Sequence, residues 1–309
     1  MTRAAITGRK SVFLGALRGV LALSFVAVTC LAPTVGAADT AAVQAANAQT
    51  RINLAGRQRM LTQRMTKAVC LALPGKADAQ WREQALAAAV TFEETLHGLR
   101  AGSPEAGLAP AQTAQERAAL ETVQEVSAAF TASVKQLASR DLHSVAMQIV
   151  IARNLTVLTR MNEAVGVIEA NAGRGDSDPV VAATINQAGR QRMLSQRMAK
   201  NLCLLAVDLD RERSLKDLSQ SAALFSDTLD GLLHGNAAGN LLAPPTPGIA
   251  AKLGQVSDMW RSLHPVIAQV QAQGTIGEAE LLDAVAQLDR ILVEMNAAVT
   301  LWAAYSGSS

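Results

Sequence analysis

Residues 52–70 read INLAGRQRMLTQRMTKAVC, and residues 185–203 read INQAGRQRMLSQRMAKNLC, with fourteen of nineteen positions identical at a constant spacing of 133. Chance does not produce such a match, and self-similarity at a fixed long period marks a duplicated folding unit. Weaker echoes extend it: Phe92 with Phe225, Leu96 with Leu229, Gly98 with Gly231 and Gly102 with Gly235. At a spacing of 134, Ala109-Pro110 meets Ala243-Pro244, and Met161-Asn162 meets Met295-Asn296. The chain is one unit written twice.

Each copy reads as four helices. The first has helical patterns over 40–73, 78–101, 112–138 and 141–172, broken at Pro74-Gly75, Gly102-Ser103-Pro104 and Pro110. The second has them over 179–208, 212–235, 247–272 and 276–305, broken at Gly235, Gly239, Pro244-Pro245 and Gly274. Short connections between helices of similar length predict antiparallel four-helix bundles, so the fold class is all-α, two bundles in tandem. Between the copies, Gly173 and Gly175 can end one helix while Asp178 and Pro179 cap and start the next. The expected division is 38–173 and 174–309.

Composition agrees. Of 309 residues 50% are hydrophobic but only 3% aromatic, which points to cores of Ala, Leu, Val and Met between closely spaced helices rather than to sheets. The formal charge of +2 gives no basic excess, so no nucleic-acid partner is expected. Arg3, Arg9, Lys10 and Arg18 precede an uncharged stretch from Gly19 to Ala38, with small residues at Val35-Gly36-Ala37. This reads as a signal peptide over 1–37; an uncleaved anchor is the competing reading, and Cys30 after Thr29 fits a lipoprotein site poorly. Removing those four cations and no acid turns +2 into −2. No later run has transmembrane length, so the expectation is a periplasmic, exported protein, membrane-anchored if the leader is retained.

At 100° per residue the motif helix separates into three stripes. Leu54, Leu61, Met65, Ala68 and Val69 are expected to face the bundle core, and Asn53, Arg57, Arg64 and Lys67 to face solvent. The third stripe is Ala55, Arg59, Thr62, Thr66 and Cys70, repeated as Ala188, Arg192, Ser195, Ala199 and Cys203. Small residues let helix backbones approach, so this stripe is expected to meet another helix. A buried arginine there needs compensation, and the stripe carries no acid. If the two stripes face each other, Arg59 and Arg192 repel unless an anion lies between their forked donors; otherwise both reach solvent or ordinary salt bridges.

The run I-N-x-A-G-R-Q-R-M-L-[ST]-Q-R-M-x-K, present in both copies, resembles the signature of the NarX/PilJ-like N-terminal sensor domain. That domain is shared by nitrate/nitrite sensor kinases and type IV pilus methyl-accepting chemotaxis transducers. The resemblance implies a periplasmic four-helix bundle that dimerises through its first helix. In the nitrate sensors the arginine before the motif's methionine, one from each subunit, holds nitrate; by position these are Arg59 and Arg192, supported by Ala55, Thr62, Ala188 and Ser195. Arg57-Gln58 and Arg190-Gln191 are closer to the pilus-transducer version, whose ligand the motif does not imply. A tandem copy could form the family dimer within one chain, with one anion, nitrate or nitrite, on a pseudo-twofold axis. The same pairing would bring Cys70 beside Cys203, as a disulfide or as two free buried thiols.

No further membrane span, HAMP linker, kinase or methyl-accepting coiled coil is expected after the second copy, so a signal would pass through a separate transmembrane or envelope protein. The alternative is a ligand-independent structural or interaction module of the envelope or pilus chemotaxis system. His97, His143, His234 and His264 have unrelated spacings, so no metal or cofactor is expected. Glu93-Glu94 diverge around a helix, the methionines at 60, 65, 193 and 198 suit core filling, and no phosphate loop or nucleophile elbow occurs. An enzyme is not expected.

Overall fold

A computed structural model describes residues 37–73, 78–139, 144–172 and 178–305. The leader up to Gly36 with Cys30, the Pro74-Gly75 break, His143 and most of the connection between the copies lie outside the described residues. Eight helices account for nearly all of the rest: α1 (Ala37–Leu71), α2 (Asp78–Ala101), α3 (Ala114–Ala138) and α4 (Ser144–Ala172), then α5 (Pro179–Ala206), α6 (Arg211–His234), α7 (Pro247–Gln273) and α8 (Glu278–Ala304). Among the described residues there is no strand, and none of these helices is long and apolar enough to cross a membrane.

The copies fold alike. In the first, α1 packs on α2 and α4, and α3 closes the bundle against both; in the second, α5 packs on α6 and α8, and α7 closes it. The connections after α2 and α6 share one geometry. Gly102 (φ +89°) and Gly235 (φ +80°) take a backbone conformation that L side chains avoid. Immediately after them Ser103 and Leu108 exchange two 2.9 Å backbone hydrogen bonds, as do Asn236 and Leu241. Thr113 and Thr246 then cap α3 and α7, accepting from Glu116 N at 3.1 Å and Ile249 N at 3.3 Å. Asp178 caps α5, accepting from Val180 N at 2.8 Å ahead of Pro179 in the first turn. Helix α5 ends at Ala206, two residues short of the expected position, in a turn where Asp208 and Asp210 both adopt left-handed backbone.

The two bundles form one body through their first helices. Helix α1 packs more extensively on α5 than on any other helix, its own bundle included, and also touches α3 and α8. It is surrounded rather than amphipathic. That corrects the expectation of a solvated polar stripe: Lys67 is fully buried, and Asn53, Arg57 and Arg64 are half-buried. Lys67 projects toward the second bundle, its Nζ 2.7 Å from Asp289 Oδ1 of α8 and 5.4 Å from the ring centre of Trp81.

Candidate functional site

Helices α1 and α5 run parallel and in register, because residues related by the 133-residue spacing meet. Cys70 and Cys203 are joined as a disulfide with Cα atoms 6.2 Å apart. Ala55, Thr62, Thr66 and Cys70 are fully buried, as are Ala188, Ser195, Ala199 and Cys203. Small side chains permit the close backbone approach, and the hydroxyls satisfy themselves locally: Thr62 Oγ1 donates to Arg59 O at 2.8 Å and Ser195 Oγ to Arg192 O at 2.9 Å.

Three turns from the disulfide, each arginine crosses to the opposite helix. Arg59 Nη2 donates to Asn186 O and Nη1 to Asn162 Oδ1 of α4, both at 3.1 Å. Arg192 Nη2 donates to Asn53 O at 2.9 Å, and Nη1 to Asn53 Oδ1 at 2.8 Å and Asn296 Oδ1 of α8 at 3.0 Å. Asn53 and Asn186 are the same motif position, and Asn162 and Asn296 the same position of the fourth helix. Neutral amides and backbone carbonyls therefore cradle both guanidiniums, and among the described residues no carboxylate is hydrogen-bonded to either. The four asparagines were the part of the site that motif reading missed, although the duplicated Met-Asn pair signalled two of them.

The guanidiniums converge on a floor of glycine. A Cβ on Gly56 would lie 3.3 Å from Arg59 Nη2 and 3.4 Å from Arg192 Nη2; one on Gly189 would lie 3.2 Å from Arg192 Nη2 and 3.6 Å from Arg59 Nη2. The two Nη2 atoms are thus closer together than the sum of either pair of distances. The glycine of A-G-R-Q-R has its physical reason here, since a Cβ at either position would crowd the two converging arginines and shift their Nη2 atoms.

Both arginines are 3% exposed or less. Burial pushes Arg59 down to about 10, with Arg190 adding to the fall and Glu169 opposing it. Arg192 falls to about 9, from burial first and then the charges of Arg59 and Arg57. Both stay cationic at neutral pH, and the Nε donor of each is buried without a partner. Glu169, half-buried beside Arg59, has its carboxyl raised by burial, opposed by a hydrogen bond from Asn186 and by the Arg59 charge.

The buried lysines complete the polar seam. Lys67 is pushed down to about 8 by burial, against the pull of Asp289. Lys200 falls to about 8 for the same first reason, against Asp217; its Nζ lies 3.3 Å from Asn154 Oδ1 and 3.9 Å from Asp217 Oδ2.

The described residues thus form an all-α protein of two four-helix bundles, locked by a disulfide and joined across a pair of buried arginines. The model of the type IV pili methyl-accepting chemotaxis transducer N-terminal family matches residues 41–141 and again residues 180–296. The chain belongs to that family and carries its domain twice, a sensory rather than a catalytic type. A comparison with curated proteins finds no match.

Proposed function

We propose that this chain is an exported, periplasmic sensor module that binds a small oxyanion, nitrate or nitrite first, between Arg59 and Arg192, and that it reports through a separate signalling protein. Residues 38–173 and 174–309 are the two halves of an intramolecular pseudo-dimer.

One observation carries the reading. Two guanidiniums converge over Gly56 and Gly189, both almost wholly buried, each with an unpartnered Nε and neither bonded to a carboxylate among the described residues. Closer than about 7 Å and at an effective dielectric near 20, two such cations repel by at least about 2 kcal/mol. Amide oxygens soften that cost but supply no charge. A planar oxyanion supplies the charge and accepts from forked donors on both sides.

Isothermal calorimetry of residues 38–309 with nitrate and nitrite tests this. Binding should weaken by about tenfold or more on Arg59→Ala or Arg192→Ala, the loss of one charge-assisted contact. Absence of heat with nitrate, nitrite and related oxyanions would overturn the anion reading and leave a ligand-independent interaction module.

A further inference from the structure

The pseudo-twofold that relates α1 to α5 is broken beside Arg59. On the Arg192 side, Asn53 closes over the guanidinium with both its side-chain oxygen and its backbone carbonyl. On the other side Asn186 offers Arg59 only the carbonyl. Its side chain is turned away, donating from Nδ2 to Glu169 Oε2, and its own Oδ1 is buried without a partner.

Residue 169 explains the difference. At the spacing that relates Asn162 to Asn296, the counterpart of Glu169 is Ala303, which has no acceptor to draw an asparagine aside. With Asn186 drawn off, an open cavity of about 330 Å³ lies where α1, α4 and α5 meet, its lining including Arg59, Asn162, Gly166, Asn186 and Arg190. The counterparts of lining residues Gly166 and Gln187 are the bulkier Thr300 and the apolar Leu54.

The cavity is cationic and has donors to spare. Arg59 Nε and Arg190 Nε are both buried without partners, and Arg190 takes part in no hydrogen bond or ion pair among the described residues. Glu163 also lines it, in an exposed pair with Arg160 2.8 Å away, so the buried charged donors are those of Arg59 and Arg190 while the carboxylate faces solvent. Two guanidiniums with buried spare donors favour an anion at the inner end of the cavity. The matching Arg57 lines a separate cavity against α2.

We propose that the anion enters from the Arg59 side through this cavity, that Arg190 meets it there, and that Glu169 keeps the mouth open by holding Asn186 off Arg59. This rests on the anion site proposed above, and it makes the tandem site one-sided where a true homodimer would have two equal approaches.

The test labels the full chain with the arginine-directed reagent p-hydroxyphenylglyoxal and maps modified peptides by mass spectrometry. Arg59, which lines the open cavity, should react about fivefold faster than Arg192. Glu169→Ala, which reproduces the second copy, should slow Arg59 toward the Arg192 rate, whereas Glu169→Gln keeps an acceptor for Asn186 and should label like the natural chain. Gly166→Leu should also shield Arg59, and a Cβ there meets no atom within 4 Å, so the side chain starts in open space. Thr300→Leu should shield neither arginine. Equal labelling of Arg59 and Arg192, or no shielding by Gly166→Leu, overturns the proposal. Nitrate exchange followed by NMR relaxation should slow about tenfold in Gly166→Leu at nearly unchanged affinity, since blocked access changes rates rather than the equilibrium. If nitrate does not bind, the anion reading fails, while the labelling still decides which side is open.

Discussion

Lys67 and Lys200 occupy the same place in two nearly identical motifs, yet their surroundings differ. Lys67 reaches across to Asp289 of the second bundle and lies over the face of Trp81 of its own; Lys200 reaches across to Asn154 of the first bundle, an amide, and finds its carboxylate, Asp217, in its own. A second pair differs more. In the first copy Arg51 is buried against Glu116 and donates to Leu99 O at 2.8 Å and to Ala109 O, tying the loop before α3 to α1. In the second copy those positions are Thr184 and Ile249, and Thr184 Oγ1 holds the equivalent loop by accepting from Leu242 N at 3.1 Å. The features on the pseudo-axis, the disulfide and the two arginines, are paired. Away from the axis each copy compensates its buried charges in its own way, because only there does a substitution in one copy leave the other untouched.

The largest expected effect comes from breaking the pair found in one copy only. Glu116→Ala leaves Arg51 buried without its carboxylate and should cost about 3–5 kcal/mol in urea unfolding. Arg51→Thr with Glu116→Ile, which installs the second copy's solution, should be neutral or stabilising. A large loss in that double variant would show that the loops are not interchangeable. Next is the link on the axis: Cys70→Ser with Cys203→Ser should destabilise by about 2–4 kcal/mol, read by the same denaturation.

The lysines give a smaller, pH-dependent effect. Because the folded chain holds the Lys67 and Lys200 protons less tightly than the unfolded chain, the unfolded state binds more protons between about 8 and 10.5. The unfolding free energy from these groups should therefore rise across that window, by on the order of 1–3 kcal/mol per lysine. Lys67→Met and Lys200→Met should each flatten the rise by its own share, and unequal shares would measure the asymmetry of their partners. The smallest stability change is expected at the glycine floor. Gly56→Ala gains about 1 kcal/mol of helix propensity and loses a similar amount to crowding, yet it displaces Arg59 Nη2. Its calorimetric signature is weaker nitrate binding at nearly unchanged thermal stability.

The helices and their breaks were legible because periodicity, glycine and proline are local signals. Arg59 and Arg192 were singled out as lone cations on a small-residue stripe, and the structure brings them together. The burial of Lys67 was not legible. A helical wheel assumes one buried face, whereas α1 is covered by α2, α3, α4, α5 and α8. The asparagine cradle escaped because its members lie on four helices, 53 and 186 within the motif and 162 and 296 far from it, and asparagine alone carries no distinctive spacing.

By itself the sequence determined that one four-helix unit is written twice, that the repetition is strongest in its first helix, and that small residues there leave room for another helix. Only the tertiary structure decided that the other helix is the second copy of the same motif, in parallel and in register. Only it showed that neutral amides rather than acids cradle the arginines, and that Glu169 breaks the symmetry on one side. Repetition and periodicity are properties of the chain, but which surfaces meet depends on how two bundles divide one interface, and residues 127 or 139 positions apart in sequence become hydrogen-bond partners only there.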